Sequence, residues 1–445
     1  MNRHRLVFFL LGKQYHFNMS EYLDFVRTSQ YWTVKEIEDY QNLNLKKIIK
    51  HAYENVPFYK EYFRKCNIEP EDIQCIADLY KLPVIRKKDV SEHYQKFLAE
   101  NYKQYHPLER STGGTTGVAF PFYNDTRAWA INWATKMRLF QWGGYTYGKH
   151  ELGVLAGGSL LPQNKLSLKN RIWRYLNNYY TMPISHMDDS IMEKYYQELK
   201  KRKVRFLRGY PTAVYSFAEY LDKHRKVLPL VSIFTTAEML LDYHRAVIER
   251  VFQCKVFDMY GCGDGMGHAC ECEKHEGLHI NHEASIMQIV DKQGKEVKTG
   301  EEGEIVLTSL FDYAMPFIRY APGDMAIKAE KPCSCGRNMP LIKKIIGRTT
   351  DIIKLSNGRI INGLSIPFEV LTRELRQFQI IQTAPDEIKV LLLPKIEFRQ
   401  NKIDEIKKMM DFHCGQGINI SVQIVDEIPL PKSGKFRYVV SEINN

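Results

Sequence analysis

No stretch of the chain is apolar for long enough to cross a bilayer. The apolar run nearest the start, Leu6 to Leu11, follows Arg3, His4 and Arg5, and a membrane helix needs about 20 such residues. A basic start before an apolar run is the pattern of a signal peptide, but no small-residue cleavage site follows before Lys13. The expectation is a cytoplasmic protein without a transmembrane segment. Low-complexity runs and internal repeats are missing as well. At 445 residues, 44% hydrophobic and 26% charged, the composition is that of a globular chain with two or three domains of about 150 residues each. Clustered charge is also lacking. The 63 Lys and Arg exceed the 52 Asp and Glu by 11, yet they are spread along the chain without the stripe that nucleic acid requires. No nucleic-acid partner is expected; a site for small polyanions and a basic solvated surface account for the excess. A disulfide framework is absent too. The nine cysteines are an odd number, with Cys262, Cys270 and Cys272 in one group and Cys333 and Cys335 in another. In a cytosolic protein such grouping points to metal before disulfide.

What is present reads as alternating helices and strands. Residues 1–100 are expected to be mostly helical. Within 45–65, Leu45, Ile48, Ile49, Ala52 and Val56 fall on one helical face before Pro57 interrupts it. The segment 189–226 is expected to be helical, broken by "RGYPTAV". Strands are expected at 151–157, 231–236, 255–261 and 303–310, which makes the chain α/β. The end has its own rhythm: strand at 387–394, helix at 402–413, strand at 419–428. A polar junction before this small α+β unit suggests a mobile lid. The divisions expected are 1–100, a helical N-terminal part; 101–349, the core; and 350–445, the lid.

The segment "RSTGGTTGVAF" (110–120) has three glycines and four hydroxyl side chains and almost no bulk. It is not a Walker loop, because Val118 stands where the lysine would follow Gly117. Backbone N–H groups of a Gly-rich turn still form an anion nest; a tight turn between two strands is the plain alternative. Further polar segments follow predicted strands: "TTAEML" (235–240) and "DMYGCGD" (258–264). These are the strand C-termini where open α/β sheets bind ligands. Then come "MPFIRYAPGDMA" (315–326), "IIGRTTDII" (345–353) and "PLPKSGKFRY" (429–438).

These motifs, in this order and over residues 30–445, resemble the adenylate-forming acyl-CoA synthetase superfamily. Within it the chain is similar to the phenylacetate–CoA ligase family, especially its capsular polysaccharide biosynthesis branch. The resemblance implies a large N-terminal adenylate-forming domain of β-sheets and helices plus a small mobile C-terminal α+β lid domain. It implies ATP and Mg²⁺ as cofactors, with Ser111, Thr112, Gly113, Gly114, Thr115, Thr116 and Gly117 around the β- and γ-phosphates. Thr236, Ala237 and Glu238 would line the adenine and α-phosphate region, with Asp258, Met259, Tyr260 and Gly261 against the base. Asp324 would accept from both ribose hydroxyls and Arg348 would assist there. The catalytic residues implied are Lys435, Asp264 and Thr116. Lys435 would reach the α-phosphate and the carboxylate when the lid closes, pivoting near Thr350 and Asp351. Asp264 stands where the family has a Mg²⁺-binding glutamate and is one methylene shorter. Aspartate still binds Mg²⁺ through oxygen, so either the ion sits differently or turnover is weakened.

"HACECEKHEGLHI" (268–280) and "KPCSCGRNMP" (331–340) together offer a closed set of thiolates and imidazole, the make-up of a structural zinc site. The expected ligands are Cys272, His279, Cys333 and Cys335; spacing alone leaves Cys270 and His275 open, and buried free cysteines are the bland alternative. The function implied is ATP-dependent, AMP-forming ligation of a carboxylic or amino acid to a thiol or amine. The acceptor classes are coenzyme A, an amine or a sugar, with surface polysaccharide as the setting. The alternatives are adenylyl transfer of the coenzyme F390 synthetase type and a weakened nucleotide-binding homologue. The acid pocket is expected near Trp133, Tyr210, Pro211 and the 236–266 region, with Tyr210 as a wall and core aromatics as the plain alternative. The assembly is left open, a homodimer included.

Overall fold

The computed structural model describes residues 19–111, 121–156, 175, 177–184, 187–348, 352–356, 360–362, 375–394, 401–415, 417–429 and 436–443. Thr112 to Gly117, Thr350, Asp351, Lys435 and the Leu6 to Leu11 run lie outside them.

The N-terminal part is helical, as its periodicity predicts: α1 (Met19–Ser29), α2 (Val34–Asn55) and α3 (Pro57–Cys66). A capping box starts α2. Thr33 Oγ1 accepts from the Glu36 N–H at 3.2 Å and Glu36 Oε2 accepts from the Thr33 N–H at 2.7 Å. Pro57 opens α3 at its first position, where its missing N–H costs nothing. Leu45, Ile48, Ile49, Ala52 and Val56 are all fully buried, so the face read from the sequence is a core face.

The central element is a thirteen-stranded sheet. Its parallel half holds β1 (Leu152–Ala156), β2 (Tyr179–Pro183), β3 (Phe206–Gly209), β4 (Ser232–Thr236) and β5 (Lys255–Cys262) in the order β2-β1-β3-β4-β5. From β5 the sheet turns antiparallel through β6 (Gly267–Glu271) and β7 (Leu278–Ile280). The other strands are β8 (Ser285–Val290), β9 (Glu302–Ser309), β10 (Asp324–Lys328) and β11 (Leu341–Arg348), and two two-residue strands, Ile85–Arg86 and Tyr320–Ala321, complete the thirteen. β7 pairs β11, which pairs β10 and then β9, and β8 flanks β9. The segment expected to be one broken helix is instead helix–strand–helix, with β3 between α5 (Asp189–Lys201) and α6 (Pro211–Lys223). Phe206 and Leu207 are apolar on both faces, as a strand covered on both sides must be.

Helices cover both faces. One face receives α4 (Thr126–Trp142): Phe140 packs on Phe234 of β4 at 4.6 Å between ring centroids. The other receives α5, α6 and α7 (Asp242–Phe252), where Arg245 donates to Glu271 Oε1 at 2.7 Å and to the Val256 carbonyl at 2.8 Å. The C-terminal segment forms a separate four-stranded sheet of β12 (Leu375–Ala384), β13 (Glu387–Pro394), β14 (Asn419–Ile424) and β15 (Val439–Ser441), in the order β14-β13-β12-β15. Helix α8 (Lys402–Cys414) buries Ile406, Met410 and Cys414 in its core.

A buried ion pair ties α1, α4 and the segment after β7. Arg138 of α4 is 1% exposed and Glu283 is fully buried. The guanidinium also donates to the Val26 carbonyl at 2.9 Å and to Asn281 Oδ1 at 2.8 Å, while Ser29 Oγ donates to Glu283. Burial alone would raise the Glu283 carboxyl, but Arg138 and His282 outweigh it and hold it down at about 2. Glu283→Gln leaves the guanidinium buried against an uncharged partner, and a loss of about 3–5 kcal/mol is expected in urea unfolding; a loss under about 1 kcal/mol would contradict the assignment. Because the folded value is depressed, the pair's stabilisation is present above the unfolded carboxylate value and disappears as pH falls toward about 2.

Candidate active site

Strand register decides which side chains can meet. In β4 and β5, Thr235 sits opposite Asp258 and Phe234 opposite Phe257, so side chains alternate between the α7 face and the α4 face. On the α7 face, Asp258 Oδ1 accepts from Thr235 Oγ1 at 2.8 Å, and its N–H donates to Glu271 Oε2 at 2.9 Å. Tyr260, two residues on, donates its hydroxyl to Asp324 Oδ2 at 2.8 Å. Asp324 begins β10, and its register partner on β11 is Arg348. The two residues expected at a ribose are therefore neighbours across an antiparallel pair.

These residues line one cavity of about 790 Å³ at the C-terminal ends of β3, β4 and β5, the position open α/β sheets use for ligands. Ser111, Thr236, Ala237, Glu238, Asp258, Met259, Tyr260, Gly261, Asp264 and Asp324 all contribute to its wall. Ala237 has φ +74°, a left-handed conformation rarely held by a residue with a Cβ and concentrated at functional sites. Glu238 follows it. Its Oε2 accepts from the Thr212 hydroxyl at 2.7 Å and N–H at 3.1 Å, and its Oε1 accepts from the Phe436 N–H at 2.8 Å. Phe436, Arg437 and Tyr438 bring the C-terminal unit to the cavity rim. Lys435 immediately precedes them in sequence.

Burial and the neighbouring Glu271 charge push the Asp258 carboxyl up to about 7. Burial works against ionisation of Glu271 too, but His275, Arg245 and the Asp258 N–H hold it low. Of this pair Glu271 carries the charge, and Asp258 retains a carbonyl oxygen that can accept from a base. Asp264 is 9% exposed. Its Oδ2 accepts from Tyr320 Oη at 2.6 Å and its Oδ1 from Cys262 Sγ at 3.0 Å. Each oxygen keeps a further lone pair, so the carboxylate fits a single-residue Mg²⁺ contact completed by phosphate oxygens.

One expectation fails. Tyr210 is not a cavity wall: it has no exposed surface and sits in the main core, and Pro211 beside it is also buried. Trp133 of α4, expected beside them, does line the cavity, together with Trp129, because the two lie one helical turn apart on the face that α4 turns to the sheet.

Behind the cavity, Cys272, His279, Cys333 and Cys335 place their donor atoms within 4.8 Å of one another. Cys272 Sγ lies 3.6 Å from Cys333 Sγ, and Cys335 Sγ lies 3.4 Å from His279 Nε2. The edges of a zinc tetrahedron with S and N ligands are about 3.8 and 3.5 Å, so the donor set fits that ion. Burial and the Arg337 and Arg138 charges bring His279 down to about 4, which keeps its imidazole neutral, as ligation needs. Cys270 and His275 point elsewhere. Cys270 Sγ meets the Glu271 carbonyl at 3.2 Å, and His275 Nδ1 meets Glu271 Oε2 at 3.2 Å.

Residues 353–442 match the family model of the CapK C-terminal domain. Protein CapK of Staphylococcus aureus is 26% identical over 418 residues, covering 92% of this chain and 90% of the relative. The phenylacetate-coenzyme A ligase of Escherichia coli K12 is 27% identical over 368 residues, covering 78% of each. Among solved structures, 2-hydroxyisobutyryl-CoA ligase in its postadenylation state with 2-HIB-AMP superposes with TM-score 0.74 at 17% identity, over 94% of this chain and 93% of that one. The chain is thus similar to CapK and to the phenylacetate–CoA ligases and has the fold of the adenylate-forming ligases.

Proposed function

We propose that the protein is an AMP-forming ligase that activates a carboxylic or amino acid as an acyl-adenylate and passes it to a thiol or amine. The observation that carries this reading is the convergence of Thr236–Glu238, Asp258–Asp264 and Asp324 on one cavity whose rim is contributed by the C-terminal unit. An acid oxygen attacks the α-phosphorus of ATP and the bond to pyrophosphate breaks; the acceptor then attacks the acyl carbon and AMP leaves. Charge grows on the phosphates, so aimed donors supply most of the stabilisation. Ser111 to Gly117 hold the leaving pyrophosphate, Tyr260 and Asp324 orient the ribose, and Asp258 accepts from the base. Asp264 would hold Mg²⁺, which would supply charge neutralisation to the phosphates. Lys435 and Thr116 complete the site from segments outside the described residues. Transfer within surface-polysaccharide biosynthesis, with an amine, a sugar or coenzyme A as acceptor, rests on the resemblance to the capsule branch.

Pyrophosphate exchange across a panel of acids tests the reading. Lys435→Ala is expected to slow exchange about 10²–10³-fold, and Asp324→Ala to raise KM for ATP by about tenfold or more. A lysine variant as fast as the native protein, or a panel with no exchange at all, contradicts the reading.

The four-residue Cys/His set is proposed to hold one structural zinc that clamps the loop at 333–335 to β6 and β7. Elemental analysis should find one zinc per chain, and Cys272→Ser should lose the metal and lower Tm. A metal-free native chain of unchanged Tm would remove the site.

A further inference from the structure

The α4 face of the cavity is lined by cations without a counter-charge. Lys136 lies on the same stripe of α4 as Trp129, Asn132 and Trp133, all of them cavity residues. Arg208 reaches the same face from β3, opposite Phe234 in register and 5.7 Å above the Phe140 ring. His268 brings a neutral imidazole to the same face from β6, opposite Gly261. A Cβ at position 261 would stand 3.3 Å from the His268 ring, so the glycine leaves room for that imidazole. Lys136 and Arg208 are half-buried and His268 is 7% exposed. Among the described residues, neither Lys136 nor Arg208 forms a salt bridge, and Arg208 Nε and His268 Nδ1 are buried without a hydrogen-bond partner. The charges these groups feel come from each other, from Arg110 and from tyrosine hydroxyls, not from any carboxylate. Burial and that mutual repulsion push Lys136 down to about 7 and His268 down to about 3.

Desolvated cations without a partner are costly, and a cavity wall that keeps them is arranged for an anion that arrives from outside. Asp258, Tyr260 and Asp324, assigned to base and ribose, make their hydrogen bonds on the opposite, α7 face. The reacting carboxylate does not need these cations, because two desolvated cations clamped on a nucleophilic oxygen would blunt its attack. We infer that Lys136, Arg208 and His268 form an acyl-side anion subsite, and that the acid activated here carries a second anionic group besides the carboxylate that is adenylated. This rests on the ligase reading above and names its substrate class: α,ω-dicarboxylates and acidic amino acids, as opposed to aliphatic or aromatic monoacids. Lys136 supplies a point charge and Arg208 a planar fork suited to a carboxylate, while the His268 imidazole donates from the strand beside them.

The test is pyrophosphate exchange with diacids of three to six carbons, aspartate and glutamate, each set against the monoacid of equal length. The native protein should favour the dianionic member in kcat/KM by about 30-fold or more, the span expected for charged hydrogen bonds. Lys136→Met and Arg208→Met should each collapse that ratio, acting through KM for the acid and not through KM for ATP. Lys136→Arg should retain most of the ratio, which separates loss of charge from loss of packing. Monoacids exchanged as well as their diacid counterparts would overturn the subsite and leave the ligase reading standing. Exchange with no acid in the panel would overturn the ligase reading, and the subsite with it.

Discussion

The pleat of β3 to β6 is the constraint on which the cavity depends. Because side chains alternate strictly along a strand, the registers Arg208↔Phe234 and Phe234↔Phe257 send Arg208 toward α4, while Thr235↔Asp258 sends Asp258 toward α7. A slip of one residue would exchange the two faces and put carboxylates under α4. Burial enforces the register: β4 is buried at all five positions, and β6 is buried at all of its own. The same packing that stabilises the sheet therefore sends Asp258 to one side of the cavity and Arg208 to the other.

Around that sheet, three fixtures hold the site from outside. The Arg138–Glu283 pair locks α4 to the segment after β7, and so fixes where Trp133 and Lys136 stand. In the Cys/His set the thiols of the loop at 333–335 meet Cys272 Sγ at 3.6 Å and His279 Nε2 at 3.4 Å, and Arg337 in the same loop donates to Glu273 at 2.9 Å and stacks on Trp142 of α4 at 4.6 Å. The third is Glu238, whose carboxylate binds Thr212 on one oxygen and the Phe436 N–H on the other. That oxygen is a point of contact between the large sheet and the C-terminal unit, set directly beside the strained Ala237. A motion of the C-terminal unit would have to break it, which ties the position of the lid to a residue in the nucleotide half of the cavity.

Much of this was legible in the sequence, for physical reasons that can be named. The strand at 387–394 carries the apolar residues Ile388 and Val390 to Leu393, and β13 spans those same residues. The helical face through Leu45 and Val56 repeats at 3.6 residues and is wholly buried. The Cys/His set was readable because thiols are rare and their grouping is informative. Other elements were hidden. β3 is four residues long and was absorbed into the helical pattern on either side. β12 mixes glutamine with isoleucine and offered no clean alternation. Tyr210 looked like a pocket wall because a tyrosine beside a turn is often exposed, but tertiary packing buried it. Lys136 and Arg208 gave no signal at all. A lysine in a helix is normally solvated, and only the docking of α4 on the sheet, with Arg208 and His268 beneath, turns it into part of a cavity wall.

The central claim is that an acid oxygen becomes bonded to the α-phosphorus of ATP. The most direct measurement is to supply an acid accepted in exchange, labelled with ¹⁸O in the reacting carboxylate, together with ATP, Mg²⁺ and an acceptor, and to weigh the AMP released. The account predicts one labelled oxygen in each AMP, carried over when the acyl–oxygen bond breaks. Unlabelled AMP, or AMP retained on the acceptor, would contradict it.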